Sequence, residues 1–129
     1  MNSKRPRVVV TGYIGLLPAG GVTWDYIQYP LGFHELGCDV LYLEDTMQWP
    51  VYQNCDDGVG CGSNVAHLDS VMRQFGLEGR WAYRDAVTDR LFGIEERTLA
   101  EFCRTADLFV NVSCSTPLRD EYQEIPLRS

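Results

Sequence analysis

The polar side chains best suited to chemistry follow apolar stretches that are typical of buried strands. Asp45 follows residues 39–44, Ser113 ends residues 107–113, and Asp25 lies near the start of a helical pattern. Either aspartate could act as a general base or bind a substrate hydroxyl group. The simpler alternatives are that Asp25 caps a helix and that Asp45 is exposed to solvent.

A glycine-rich loop over residues 12–21 connects the first apolar stretch to the first helical pattern. Backbone amides at such a helix start favour anionic groups. We therefore predict that the loop binds a ligand through Tyr13, Ile14, Gly15, Gly20, Gly21 and Val22, together with Asp25, Asp45 and Ser113. The alternative is that the glycines only let the loop bend tightly and bring the helix close to the sheet.

The loop departs from the common nucleotide-binding motifs. The dinucleotide pattern G-x-G-x-x-G is absent because Ile14 stands two residues after Gly12. The phosphate-binding pattern G-x-x-x-x-G-K-[ST] is nearly complete, but Gly21-Val22 replaces the lysine and the hydroxyl residue. A short-chain reductase would need a Tyr-x-x-x-Lys pair, and the single lysine is Lys4. These departures disfavour a nucleotide-dependent oxidoreductase.

The remaining residue types that bind metals or act as nucleophiles form no recognisable site. We expect His34 to pack inside the fold and His67 to lie on the surface. The five cysteines show no C-x-x-C spacing, which disfavours a zinc site. The sequence therefore predicts no metal and no cofactor.

Composition restricts the class of protein and its partners. The 129 residues are 45% hydrophobic and 22% charged, values typical of a globular domain, and the length fits one domain. The net charge of -7 argues against a nucleic-acid partner, because binding phosphates requires a dense basic surface. No secretory leader and no membrane span are expected, since the apolar stretches are too short. A cytoplasmic location is the default.

Apolar stretches alternate with helical patterns along the chain. Strands are predicted at residues 7–12, 39–44, 80–84 and 107–113, and helices at 22–37, 63–75 and 95–106. The strands lack polar/apolar alternation, which is typical of a parallel sheet covered on both faces. Right-handed crossovers then predict a three-layer, Rossmann-like α/β fold with strand order 3-2-1-4, numbered along the chain.

The first helix and the end of the chain carry two further expectations. The helix has two apolar stripes, Trp24/Ile27/Leu31 and Tyr29/Phe33/Leu36. Two stripes predict two covered faces, one against the sheet and the other against a neighbour that this chain need not contain. Pro30 should kink or restart the helix. The segment Ile125-Pro126-Leu127 looks like the approach to a fifth strand. The sheet is therefore expected to be incomplete at its carboxyl end, and the fragment to be half of a larger protein.

Several segments go beyond composition: Val10-Thr11-Gly12-Tyr13-Ile14-Gly15, Pro18, Gly20-Gly21-Val22, Trp24-Asp25-Tyr26-Ile27-Gln28-Tyr29, Leu43-Glu44-Asp45-Thr46, Trp49-Pro50, and later residues 80–84 and 108–113. Together they resemble the amino-terminal half of a bacterial group of glycosyltransferase-like proteins of the GT-B type. In GT-B enzymes two Rossmann-like domains face each other across a cleft. The first usually binds the acceptor, and the second holds the nucleotide-sugar donor.

The resemblance implies that residues 1–129 form an acceptor-side domain that binds a small-molecule or glycan acceptor, with its donor-binding domain missing. Many inverting members carry a catalytic histidine in the loop after the first strand, and this loop has none. The isolated chain should then transfer no sugar and bind nucleotide sugars weakly. Its uncovered sheet edge should favour a homo-oligomer or aggregation. The alternative function is a non-catalytic Rossmann-like binding or interaction module.

Overall fold

The structure is a computed structural model that describes residues 5–15, 20–46, 62–85 and 89–112, together with residues 116, 122, 125, 127 and 128. Within these ranges the helices are α1 (Gly20–Glu35), α2 (Gly62–Gln74) and α3 (Glu96–Thr105). The strands are β1 (Arg7–Thr11), β2 (Asp39–Glu44), β3 (Trp81–Arg84), β4 (Leu91–Phe92), β5 (Leu108–Val110) and β6 (Leu127–Arg128).

These strands form one mixed sheet in the order β4-β3-β2-β1-β5-β6. β1 pairs in parallel with β2 on one side and with β5 on the other. The β2–β3 and β5–β6 pairs are also parallel, whereas β4 runs antiparallel to β3. The fold is therefore α/β with a mostly parallel sheet, which is compatible with a Rossmann-like architecture.

The strand order differs from the predicted 3-2-1-4 because two short strands extend the sheet at its edges. Neither β4 nor β6 is long enough to produce a hydrophobic period in the sequence. In β6, Leu127 pairs with Leu108 and Arg128 pairs with Phe109. The edge of β5 is therefore paired at these residues, so the expectation of an unpaired edge there is wrong.

The sheet lies between two helical layers. One face packs on α3 through Val9, Leu41, Leu43, Leu99, Cys103 and Phe109. The other face packs on α1 and α2 through Ile27, Tyr42, Leu68, Met72, Trp81 and Tyr83. Because successive side chains of a strand point to opposite faces, Leu41 and Tyr42 reach different layers.

Helix α1 packs on the sheet through only some of its apolar residues. Ile27 and Pro30 are buried, whereas Trp24 and Leu36 expose 59% and 80% of their surface. Residues from both predicted stripes are therefore exposed in the single chain. The expected cover of the second face by a neighbour outside the chain stays a prediction. Pro30 lies inside one uninterrupted helix, so the predicted restart does not occur. Within the described ranges, no helix has both the length and the apolar character required to cross a membrane.

Candidate functional site

The carboxyl ends of β1, β2 and β5 meet at one edge of the sheet, because these strands are parallel. The buried polar side chains at this edge include those of Thr11, Glu44 and Asp45. Buried polar groups require hydrogen-bond partners. Each of the three belongs to its own hydrogen-bonded group.

Glu44 holds the turn that follows β1. The Gly15 amide donates to Glu44 Oε1 at 2.5 Å, and the Tyr42 hydroxyl donates to the same oxygen at 2.6 Å. The Tyr42 hydroxyl in turn accepts the amide proton of Ile14 at 3.1 Å. From α2, the Asn64 side-chain amide donates to the Gly15 carbonyl at 2.8 Å. The turn at residues 14 and 15 is thus fixed by side chains from β2 and α2.

The Tyr42 hydroxyl is kept protonated by its surroundings. Burial raises its pKa well above the ordinary value, and the charge of Glu44 and the hydrogen bond to Glu44 raise the pKa further. A phenolate here would lose its hydration and face a carboxylate. The Tyr42 hydroxyl therefore keeps its proton and remains a hydrogen-bond donor to Glu44.

Gly12 and Gly15 leave room for protein side chains. A Cβ atom at Gly12 would lie 2.8 Å from Tyr42 Oη and 2.9 Å from the Tyr26 ring. A Cβ atom at Gly15 would lie 3.1 Å from the Tyr83 ring. The space beside both glycines is therefore filled from within the domain, which favours the packing explanation for these two positions.

Asp45 is buried, so the alternative of solvent exposure is wrong. Only 1% of Asp45 is exposed, and the Tyr122 hydroxyl donates to its Oδ2 at 2.7 Å. Arg84 Nε lies 3.7 Å from the same oxygen. The Arg84 guanidinium also forms two hydrogen bonds to Glu96, at 2.7 and 2.8 Å. The Asp45 carboxylate is therefore committed to contacts within the domain.

The partners of Asp45 have shifted pKa values for different reasons. Burial is the main cause that raises the pKa of the Tyr122 hydroxyl, and the charge of Asp45 and the hydrogen bond to it add to the effect. The hydrogen bond to Glu96 is the main cause that raises the pKa of the Arg84 guanidinium. Both groups therefore keep their protons and remain hydrogen-bond donors.

Thr11 belongs to a network that closes the segment after β5. Its hydroxyl donates to Asn111 Oδ1 at 3.1 Å and accepts the amide proton of Val112 at 2.9 Å. The Asn111 side-chain amide donates to the Thr116 carbonyl at 2.8 Å, and Asn111 Oδ1 accepts the Thr116 amide proton at 3.0 Å. The predicted site residue Ser113 lies outside the described residues.

Asp25 lies in the second turn of α1, so the helix-capping alternative is wrong. It is exposed and lines a cavity of about 520 Å³. The cavity is lined by Asp25, Tyr26, Gln28, Tyr29 and Val112. Because Val112 follows the end of β5, the cavity opens at the carboxyl edge of the sheet.

The predicted ligand-binding residues divide into two groups. Ile14 and Gly15 are buried in the turn that Glu44 holds. Tyr13 is half-buried, and its ring meets the cavity residue Tyr26 edge to face, with ring centroids 5.6 Å apart. Gly20, Gly21 and Val22 form the first turn of α1, where Gly21 is exposed and Val22 is half-buried.

Several residues that shape the site were not among those predicted. Glu44 had a detectable signal, because it is a charged residue that directly follows four apolar residues of a strand. Gln28 lies three residues after Asp25 on α1, a spacing that places the two side chains side by side. Tyr122 had no local signal, since its partner Asp45 lies 77 residues away in sequence.

His67 is not the surface residue that was expected. It is half-buried, and its Nε2 lies 2.9 Å from the Thr23 hydroxyl, which connects α2 to α1. Burial lowers the pKa of His67 below its ordinary value. His34 is half-buried near the end of α1. In the part of the chain that the structure describes, no group of three or more His, Cys, Asp or Glu side chains is arranged to hold a metal ion.

Comparison of the chain with protein-family models, with curated proteins and with solved structures gave no match in any of the three. The functional proposal therefore rests on the geometry of the site and on the residues quoted above.

Proposed function

We propose that the chain is the acceptor-side domain of a glycosyltransferase and that a hydroxylated acceptor, small molecule or glycan, binds in the cavity beside α1. The observation that carries the proposal is an exposed carboxylate, Asp25, lining a cavity of about 520 Å³ at the carboxyl edge of the sheet. Ligands of open parallel sheets bind at this edge. The cavity is also in the volume range of small-molecule sites, roughly 300–1,000 Å³.

The side chains that line the cavity suit a sugar-like ligand. The Asp25 carboxylate accepts hydrogen bonds from hydroxyl groups, and the Gln28 amide both donates and accepts. Tyr26 and Tyr29 supply aromatic surface against which the apolar face of a sugar ring can pack. Together they offer both kinds of contact that a polyhydroxylated ring requires.

In this proposal Asp25 is the general base. Its carboxylate takes the proton of the acceptor hydroxyl as that oxygen forms a bond to the anomeric carbon of the donor sugar. The bond from that carbon to the nucleoside diphosphate breaks, and the nucleoside diphosphate leaves with the electron pair. Asp45, the second predicted catalytic aspartate, has the supporting role of holding Tyr122 and Arg84 at the edge of the sheet.

A second candidate function is a non-catalytic Rossmann-like binding module. The commitment of Asp45 and Glu44 to partners inside the domain favours it, because a single accessible carboxylate is enough to bind a ligand. The coding sequence directly downstream separates the two functions. An in-frame second Rossmann-like domain supports the glycosyltransferase, whereas the absence of such a domain supports the module.

Ligand binding tests what the two functions share. The chain is titrated with a panel of neutral saccharides and followed by amide chemical shifts, and saturable changes are expected at Tyr26, Gln28 and Val112. Asp25→Asn should weaken binding by about tenfold, equal to 1.4 kcal/mol. Asp69→Asn is the matched control, because Asp69 lies on α2 and pairs with Arg73. Binding that is equally strong in Asp25→Asn, or shifts confined to other regions, would contradict the proposed site.

A further inference from the structure

Two amides of the turn after β1, those of Ile14 and Gly15, are hydrogen-bonded within the domain. In Rossmann-like folds the amides of this turn and of the following helix start face the phosphates of a bound nucleotide. Here the amide of Gly15 donates to Glu44 and the amide of Ile14 donates to Tyr42. Two consecutive amides, the kind of pair that binds anions elsewhere, are satisfied from within the domain.

We infer that Glu44 is an internal anion that takes the place of a ligand phosphate at this turn, and that it restricts the site to uncharged, unphosphorylated hydroxylated ligands. The inference rests on the proposed function, because it narrows the chemical class of the ligand that binds in the cavity beside this turn. Glu44 is a specificity-determining residue in this account and has no catalytic role.

Packing closes the turn to a phosphate. Glu44 Oε2 lies 3.3 Å from the position that a Cβ atom of Gly15 would take, and the Tyr83 ring lies 3.1 Å from it. At Gly12 the corresponding position is 2.8 Å from Tyr42 Oη. A phosphate is larger than a methyl group, so it cannot enter the space beside either glycine that these side chains fill without moving them.

Electrostatics acts in the same direction. Glu44 is 1% exposed and ends β2 at the edge where the ligand would bind. A phosphate at the Gly15 amide would meet this carboxylate in surroundings that screen charge poorly. It would also have to break charge-assisted hydrogen bonds, which are stronger than neutral ones. A neutral hydroxylated ligand in the neighbouring cavity meets neither obstacle.

The test uses inorganic phosphate and the whole chain, read by the amide signals of Ile14 and Gly15. In the wild type we expect no saturable shift of these signals. In Glu44→Ala the vacated position should bind formate or phosphate, so that either anion raises thermal stability and phosphate affinity rises by about tenfold or more. Formamide, which is neutral, should raise stability much less. Glu35→Ala, at the exposed end of α1, is the matched control and should behave as the wild type.

Glu44→Gln keeps the inference falsifiable if Glu44→Ala does not fold. It preserves the size of the side chain and an oxygen acceptor, so the fold should remain. The Gly15 amide proton should nevertheless move to lower frequency, because its acceptor is no longer charged. An unchanged Gly15 signal in this variant would overturn the inference, and so would a saturable phosphate shift at Ile14 or Gly15 in the wild type.

The two proposals fail in distinguishable ways. Phosphate binding at Ile14 and Gly15 would overturn the role of Glu44 and leave saccharide binding at Asp25 standing. Absence of saccharide shifts at Gln28 and Val112, with phosphate still excluded, would overturn the proposed function alone.

Discussion

The hydroxyl of Tyr122 donates to Asp45 Oδ2 at 2.7 Å and so joins the carboxyl-terminal part of the chain to the end of β2. Both residues are buried. The Tyr122 ring also stacks on Phe109 of β5, with ring centroids 5.5 Å apart. One side chain therefore supplies apolar contact to the sheet and a hydrogen bond to a carboxylate at the ligand edge.

Removing the Tyr122 hydroxyl should destabilise the fold. In Tyr122→Phe the ring is kept while a buried carboxylate loses a donor, so the free energy of unfolding should fall by about 1–3 kcal/mol. Urea unfolding measures the change. Tyr29→Phe is the matched control, since Tyr29 is 48% exposed and its variant should stay within about 0.5 kcal/mol of the wild type. Equal stability of the two variants would show that the bond to Asp45 contributes nothing.

Two glycines should respond in opposite directions to the same substitution. Gly12→Ala places a methyl group against Tyr42 and Tyr26, so it should lower the free energy of unfolding by about 1–3 kcal/mol. Gly32→Ala lies in α1 with nothing within 4 Å of the new methyl group, so it should raise that free energy by up to about 1 kcal/mol. Denaturant unfolding of both variants checks the signs. A harmless Gly12→Ala would mean that the turn is not closely packed.

His67 should make the fold less stable in mild acid. Burial lowers its pKa below 6.5 in the folded state, so the unfolded chain binds the proton more readily. The stability from neutral His67 is then fully present above about pH 6.5 and is lost as the pH falls through the lower folded-state value. His67→Gln should flatten this dependence in urea unfolding at neutral and mildly acidic pH. Thr23→Val, which removes the hydrogen bond and no titrating group, should keep the slope.

Tyr42 and Tyr122 should resist ionisation in alkali. Burial, with a neighbouring carboxylate, raises the pKa of each hydroxyl in the folded state. Their contribution to stability is fully present below the unfolded value of about 10 and declines as the pH rises toward the folded-state values. Tyrosinate absorbance should therefore show that Tyr42 and Tyr122 ionise only with unfolding. Tyr42→Phe or Tyr122→Phe should each remove one of them, and an unchanged late fraction would contradict this assignment.

The local hydrophobic pattern was sufficient to predict those helices and strands that are long enough to show a period. Predicted helices at 63–75 and 95–106 correspond to Gly62–Gln74 and Glu96–Thr105. The apolar strands predicted at 7–12 and 39–44 pair in parallel as expected. The α/β class is therefore confirmed. It could be predicted because a strand that is buried on both faces is apolar at nearly every position.

Tertiary structure alone decided the edges of the sheet and the state of each carboxylate. Strands β4 and β6 have two residues each, so only pairing with β3 and β5 defines them. Asp25 and Asp45 are the same residue type, yet one lines a cavity and the other is buried under Tyr122. Sequence placed both aspartates near one edge, but a carboxylate's role depends on which donors approach it. Those donors come from residues up to 77 positions away, and the local hydrophobic pattern cannot predict contacts over such a separation.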